Sequence, residues 1–99
     1  MVKIVWTELA VDDLKEIHDF IAKNSPRFAS ITIDKIYQRA QLIADNPFIG
    51  RIVPEINNEP IRELIIGNYR LIYFIISELQ VEILRVYHSA RSLTEEKLK

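Results

Sequence analysis

Hydrophobic and polar positions divide the chain into two regimes, helical in the first half and sheet-like in the second. Val2 to Trp6 is a short β-branched and aromatic run that predicts a first strand. Thr7 stands where it can cap a following helix, and Glu8, Asp12 and Asp13 suit the positive end of that helix. Leu14, Ile17 and Ile21 recur at helical spacing until Asn24, Ser25 and Pro26, where Ser25 reads as an N-cap and Pro26 as the first residue of a second helix. Ala29, Ile33, Ile36, Ala40 and Ile43 form one apolar stripe on that helix, which ends near Asn46 and Pro47. The expected unit is an αα-hairpin with small residues allowing close approach.

From residue 61 the period changes to two. Ile61 to Ile66, Tyr69 to Ile76 and Val81 to His88 predict three strands, joined by Gly67-Asn68 and by residues 77–80, hence an antiparallel meander. In the last of them Val81, Ile83, Arg85 and Tyr87 alternate with Glu82, Leu84, Val86 and His88. The middle strand does not alternate: Leu71 to Ile76 is apolar at every step, which predicts burial on both faces. One α-hairpin covers one face, so the other is expected to lie under the C-terminal tail, a second copy or a partner chain. Between the two regimes, PFIGRIVPEINNEP holds three of the four prolines and Gly50 and reads as a turn-rich loop able to carry a site. The tail SLTEEKLK is long enough for a helical turn or two, stable only if docked. Together these elements predict an α+β domain spanning residues 1–99.

Composition narrows the chemistry. With 99 residues, 48% apolar and 27% charged, one core is expected. A formal charge of -1, spread evenly over both halves, argues against a broad nucleic-acid-binding surface. The absence of cysteine removes thiol nucleophiles and thiolate metal sites, and two histidines make no zinc motif. No metal or organic cofactor is expected. The apolar run at 71–76 is far short of the ~20 residues of a membrane span, and the N-terminus lacks a signal-peptide pattern, so a cytoplasmic location is expected.

The order strand, α-hairpin, proline-rich loop and meander, with N-P-F-I-G-R at 46–51, P-E at 54–55, G-N-Y-R-L-I-Y at 67–73 and I-L-R-V-Y-H-S-A-R at 83–91, resembles the RelE/ParE superfamily of type II toxins. The resemblance covers nearly the whole chain. It implies a cognate antitoxin encoded beside the toxin, which wraps it and binds operator DNA, so that DNA is met only indirectly. RelE-like members cut mRNA in the ribosome. Arg70 falls at their strand arginine and Arg91 near their C-terminal basic position, but the expected lysines are replaced by Ile61 and Glu63. A YoeB-like set of glutamate, arginine and histidine is matched in type and order by Glu55, Arg70 and His88, as base, phosphate clamp and acid. The tyrosine that would follow the histidine is Ser89. G-R-x-x-P-E followed by I-L-R-V-x-H-x-A-R looks most like ParE-type members, which poison DNA gyrase. The resemblance therefore implies a ParE-like gyrase inhibitor. The alternatives are an mRNA endonuclease using Glu55, Arg70, His88 and Arg91, and an inactive member that only assembles with its antitoxin.

For a gripping surface the candidates are Arg51, Arg62, Tyr69, Arg70, Tyr87, His88 and Arg91, with Tyr69 and Tyr87 expected near the surface. Each has a plainer reading. Arg62, Arg70 and Arg85 are placed to pair with Glu63, Glu82 or Glu78 across the strands. Arg51 is a contact for an acidic antitoxin segment or a solvated loop residue. Trp6 reads as a core anchor, His18 as a boundary residue, and Tyr37 and Tyr73 as packing residues with solvated hydroxyls.

Overall fold

Strand β1 (Lys3–Trp6) leads into helix α1 (Glu8–Ala22) through Thr7, whose backbone is extended and whose hydroxyl oxygen accepts from the Ala10 N–H. The same hydroxyl lies within hydrogen-bond distance of the Ile83 and Leu84 carbonyls, and the Thr7 N–H donates to Ile83. One residue thus caps a helix and fixes it to the sheet. The computed structural model describes residues 1–89. Helix α2 (Pro26–Ala40) begins as its sequence predicts, with the Ser25 side chain accepting from Phe28 N–H and proline in the first turn. Ala29, Ile36 and Ala40 are fully buried along its inner stripe, and Ala10 faces them from α1. A short helix α3 (Leu42–Asp45), not anticipated as a separate element, follows and buries Ile43.

The sheet has five strands in the order β1-β5-β4-β3-β2, with β2 (Arg51–Ile52), β3 (Ile61–Ile66), β4 (Tyr69–Ile75) and β5 (Gln80–His88). β1 runs parallel to β5 and every other neighbour is antiparallel. The three predicted strands match to within a residue at each end, and the β3–β4 turn is made by Gly67 at φ 59°, a conformation that costs glycine little. The two-residue β2 was not foreseen; its register pairs Arg51 with Glu63 and Ile52 with Arg62.

One irregularity redirects the side chains of β5. Ile72 pairs with Arg85 but Tyr73 pairs with Ile83, so Leu84 is an extra residue on β5. Val81 and Ile83 therefore face the helices, whereas Arg85 and Tyr87 face the other side, and the uninterrupted alternation expected for these four residues does not hold. The helix-facing core gathers Ile36, Ile43, Leu64, Ile66, Leu71, Tyr73, Val81, Ile83 and Val86.

The opposite face carries a smaller core of Val53, Ile61, Ile72 and Tyr87, with Ile56 and Leu84 packed against it. Both faces of β4 are buried at Leu71, Ile72 and Tyr73, whereas Phe74 and Ile76, expected to be buried with them, are exposed. Among the described residues its second cover is the 51–60 loop, which the sequence reading did not name; the tail it did name lies outside the described residues. The prolines and turns there fold the segment back on the sheet, where two branched side chains complete the small core. The predicted helical turns of the tail lie outside the described residues.

Candidate functional site

The second face is organised around a row of alternating charges. Arg70 on β4 is 5% exposed and Glu63 on β3 is 1% exposed. The Arg70 Nε donates to Glu63 Oε1 at 2.7 Å, while its Nη1 and Nη2 donate to Glu55 Oε2 and Oε1 at 2.7 and 2.8 Å. The second oxygen of Glu63 accepts from Arg51 Nε at 2.6 Å. The row therefore reads Glu55, Arg70, Glu63, Arg51, with its middle members buried and its ends reaching solvent. The bidentate pair with Glu55 is the main cause that drives the Arg70 pKa further above its ordinary value, against desolvation, with Glu63 adding to it.

The sequence accounts for this arrangement. Glu63 and Arg70 lie on one face by strand alternation, Arg51 is the cross-strand partner of Glu63, and Glu55 is brought over by the loop that seats Val53 and Ile56. Tyr87, the cross-strand partner of Arg70, is 4% exposed in the small core, so its expected surface placement is corrected. The added residue in β5 turns its ring inward.

His88 is placed elsewhere. It pairs with Tyr69, one residue out of phase with the Arg70–Tyr87 pair, and so lies on the helix-covered face. Its ring meets Tyr69 edge-on at 6.0 Å, beside a cleft of about 240 Å³ lined by Glu16, Ile17 and Phe20 of α1. The structure thus joins Glu55 to Arg70, while the strand register sets His88 on the opposite face of the sheet from Arg70. Arg91 lies outside the described residues.

Arg62 projects from the helix-facing side, donates to the carbonyls of Glu59 and Gly50, and stacks at 5.1 Å over Phe48. Arg85 meets neither Glu82 nor Glu78; its Nε and Nη2 donate to the two oxygens of Asp13 at 2.8 and 2.9 Å. Sequence reasoning overlooked this buried aspartate, treating it as an ordinary acid near a helix start. The available signal was its place three residues after Ala10 and one before Leu14, on the inward stripe. Asp13 Oδ2 also accepts the Val86 N–H, where β1 has ended and β5 would otherwise leave a backbone donor unpaired.

A second buried polar contact sets the start of the loop. The Tyr73 hydroxyl donates to the Pro47 carbonyl at 2.6 Å and accepts from Gly50 N–H at 2.9 Å, so it is not the solvated group expected. Burial pushes its pKa above the ordinary value. A Cβ on Gly50 would fall 2.5 Å from the Glu63 carbonyl and 2.7 Å from the Tyr73 hydroxyl, which explains glycine at this position. Among the described residues no group of His, Cys, Asp or Glu side chains is arranged to hold a metal ion, and no helix is long and apolar enough to cross a membrane.

Comparison with known proteins places this architecture. Residues 4–93 match the family model for the ParE toxin of the type II toxin-antitoxin system parDE. Toxin RelE2 of Caulobacter vibrioides is 31% identical over 91 residues, covering 92% of this chain and 99% of that protein. The chain is similar in fold to a structure of the chromosomal ParDE system from P. aeruginosa, with a TM-score of 0.73 and 20% identity over 89% of this chain and 96% of the other. It is also similar to the toxin–antitoxin complex RelBE2 from Mycobacterium tuberculosis, with a TM-score of 0.57 and 25% identity over 88% of this chain and 96% of the other.

Proposed function

Since the chain belongs to the ParE toxin family of type II toxin–antitoxin systems, we propose that it acts by gripping its target and not by cutting RNA, that the target is DNA gyrase, and that a cognate antitoxin neutralises it. The observation that carries this reading is the separation of His88 from the Glu55–Arg70 pair by the sheet. A ribonuclease of the glutamate, arginine and histidine type needs base, clamp and acid within reach of one phosphate. Here an acid at His88 and a base at Glu55 would address opposite faces.

The charge row supports the same reading. Glu55 and Glu63 neutralise Arg70, and a phosphate entering there would have to displace a bidentate carboxylate at 2.7 and 2.8 Å. Glu55 is likewise occupied and makes a poor base while it holds the guanidinium. The ParE-like motifs G-R-x-x-P-E and I-L-R-V-x-H-x-A-R favour gyrase within the gripping class. The complexes among the structural relatives favour an antitoxin partner.

The test is brief induction of the chain in cells lacking its antitoxin, with DNA synthesis, DNA breakage and message integrity followed in the same cultures. The proposal predicts arrested replication and DNA damage with intact messages, and no selective rescue by His88→Ala. Early message cleavage that disappears in His88→Ala, with replication unaffected in the parent, overturns it; loss of a general acid costs ~10²–10⁴ in rate.

A further inference from the structure

Among the described residues, the sheet face opposite the helices is covered over only part of its width. Val53 and Ile56 of the 51–60 loop pack there on Ile72 and Tyr87, beside the charge row. The region around β1 and the first half of β5 has no such cover. Ile4 and Trp6 pack toward the helices, as do Val81 and Ile83, so by alternation Lys3, Val5, Gln80 and Glu82 lie on the opposite face. Phe74 joins them, one residue beyond the helix-facing Tyr73, and Ile76 follows in the same phase. Phe74 is 36% exposed and Ile76 46%.

The charges on this patch complement a copy of themselves. Register sets Lys3 beside Gln80, Val5 beside Glu82 and Glu82 beside Phe74, and the Ile76 N–H donates to the Gln80 carbonyl. Lys3 and Glu82 are therefore diagonal neighbours on adjacent strands, and neither forms an ion pair among the described residues. A two-fold axis lying in the face midway between them exchanges their positions, so that each copy's lysine meets the other's glutamate. Val5, Gln80 and Ile76 fall close to that axis and meet their own counterparts. We propose that this face, with Lys3 and Glu82 as its reciprocal charges and Val5, Phe74 and Ile76 as its apolar part, is an isologous interface at which two copies of the chain pair sheet to sheet.

One lysine and one glutamate sum to zero, which offers nothing to a polyanion, whereas the apolar side chains around them leave water when the faces meet. Stacked sheets lie about 10 Å apart, a gap that a lysine and a glutamate side chain span together. The patch is about three strands wide, which is small for a permanent dimer, so a dissociation constant on the order of 100 µM is expected. The interface lies apart from the charge row and from His88, and holds whichever macromolecule the toxin inhibits.

The test is sedimentation of the full chain at concentrations up to about 1 mM, well above the expected dissociation constant. A concentration-dependent dimer is expected. Lys3→Glu and Glu82→Lys each set like charges face to face and should weaken it about tenfold, while Lys15→Glu, on the exposed side of α1, leaves it unchanged. The double variant carrying both changes should associate as the parent does. So should an equal mixture of the two single variants, because opposite charges face each other again in the mixed pair. A chain that is monomeric at about 1 mM, a dimer indifferent to Lys3→Glu, or a double variant no tighter than the single ones would each overturn the proposal. A monomer whose Phe74 ring signals shift only on adding the antitoxin would assign the face to that partner, and would overturn it equally.

Discussion

Glu63 shows how far the meaning of a residue depends on its neighbours. In the linear sequence it is a carboxylate where a strand lysine was expected, and it reads as a repulsive element against phosphate. In the fold it is the buried centre of a clasp, accepting from Arg51 and from Arg70. Removing one partner of a buried pair leaves the other charge without its counter-ion, which costs more than the intact pair contributes. Glu63→Ala is therefore expected to destabilise the fold by about 3 kcal/mol, near the lower end for such losses because Arg70 keeps Glu55. Replacing both members, Glu63→Leu with Arg70→Met, should restore most of that loss, since Glu55 and Arg51 reach solvent. Urea unfolding of the two variants checks this; a double variant no more stable than the single one would show that the pair itself supplies the stability.

Among the elements, the loop between α3 and β3 is the one whose conformation decides what the second face offers. Its anchor is Tyr73, reaching through the sheet edge to Pro47 and Gly50. Tyr73→Phe leaves a buried N–H and a carbonyl without their partner and should cost about 1–3 kcal/mol. The pH dependence gives a second check. Burial raises the Tyr73 pKa in the fold above its ordinary value of 10.0. Above that pH the unfolded chain has lost the proton while the native chain retains it, so this contribution to stability is complete below about pH 10 and declines as pH rises further. In Tyr73→Phe the decline above pH 10 should be shallower than in the parent, read from unfolding midpoints measured at a series of pH values; parallel curves would contradict a buried hydroxyl.

Which elements were legible also has a physical explanation. Thr7, Ser25, Pro26 and Gly67 act through local backbone chemistry, so the helix starts and the β3–β4 turn follow from the sequence alone. The apolar run in β4 announced burial on both faces, which holds for Leu71 to Tyr73 and fails toward the strand's end at Phe74 and Ile76. What covers the second face was not legible, because Val53 and Ile56 become a lid only through contacts with Ile72 and Tyr87 far along the chain. The extra Leu84 has no composition signal either, yet it decides that Arg85 and Tyr87 leave the face of Val81 and Ile83. Of the candidate site, Glu55 with Arg70 was legible as a pair of chemical types, whereas the placement of His88 across the sheet required the register.

At the scale of the whole molecule, a five-stranded sheet with an α-hairpin on one face and a charged loop-covered surface on the other joins the chain to the RelE/ParE toxins. That fold serves more than one mode of inhibition, so the decision falls to the site. An Arg70 paired with two carboxylates and a His88 on the opposite face of the sheet favour binding over phosphate chemistry. The most direct measurement sets the purified chain against two targets side by side: gyrase supercoiling with trapped DNA breaks, and message integrity on programmed ribosomes. The account predicts that the chain inhibits gyrase and traps broken DNA, that added antitoxin reverses this, and that ribosome-bound messages remain whole. Intact gyrase activity alongside cleaved messages would contradict it.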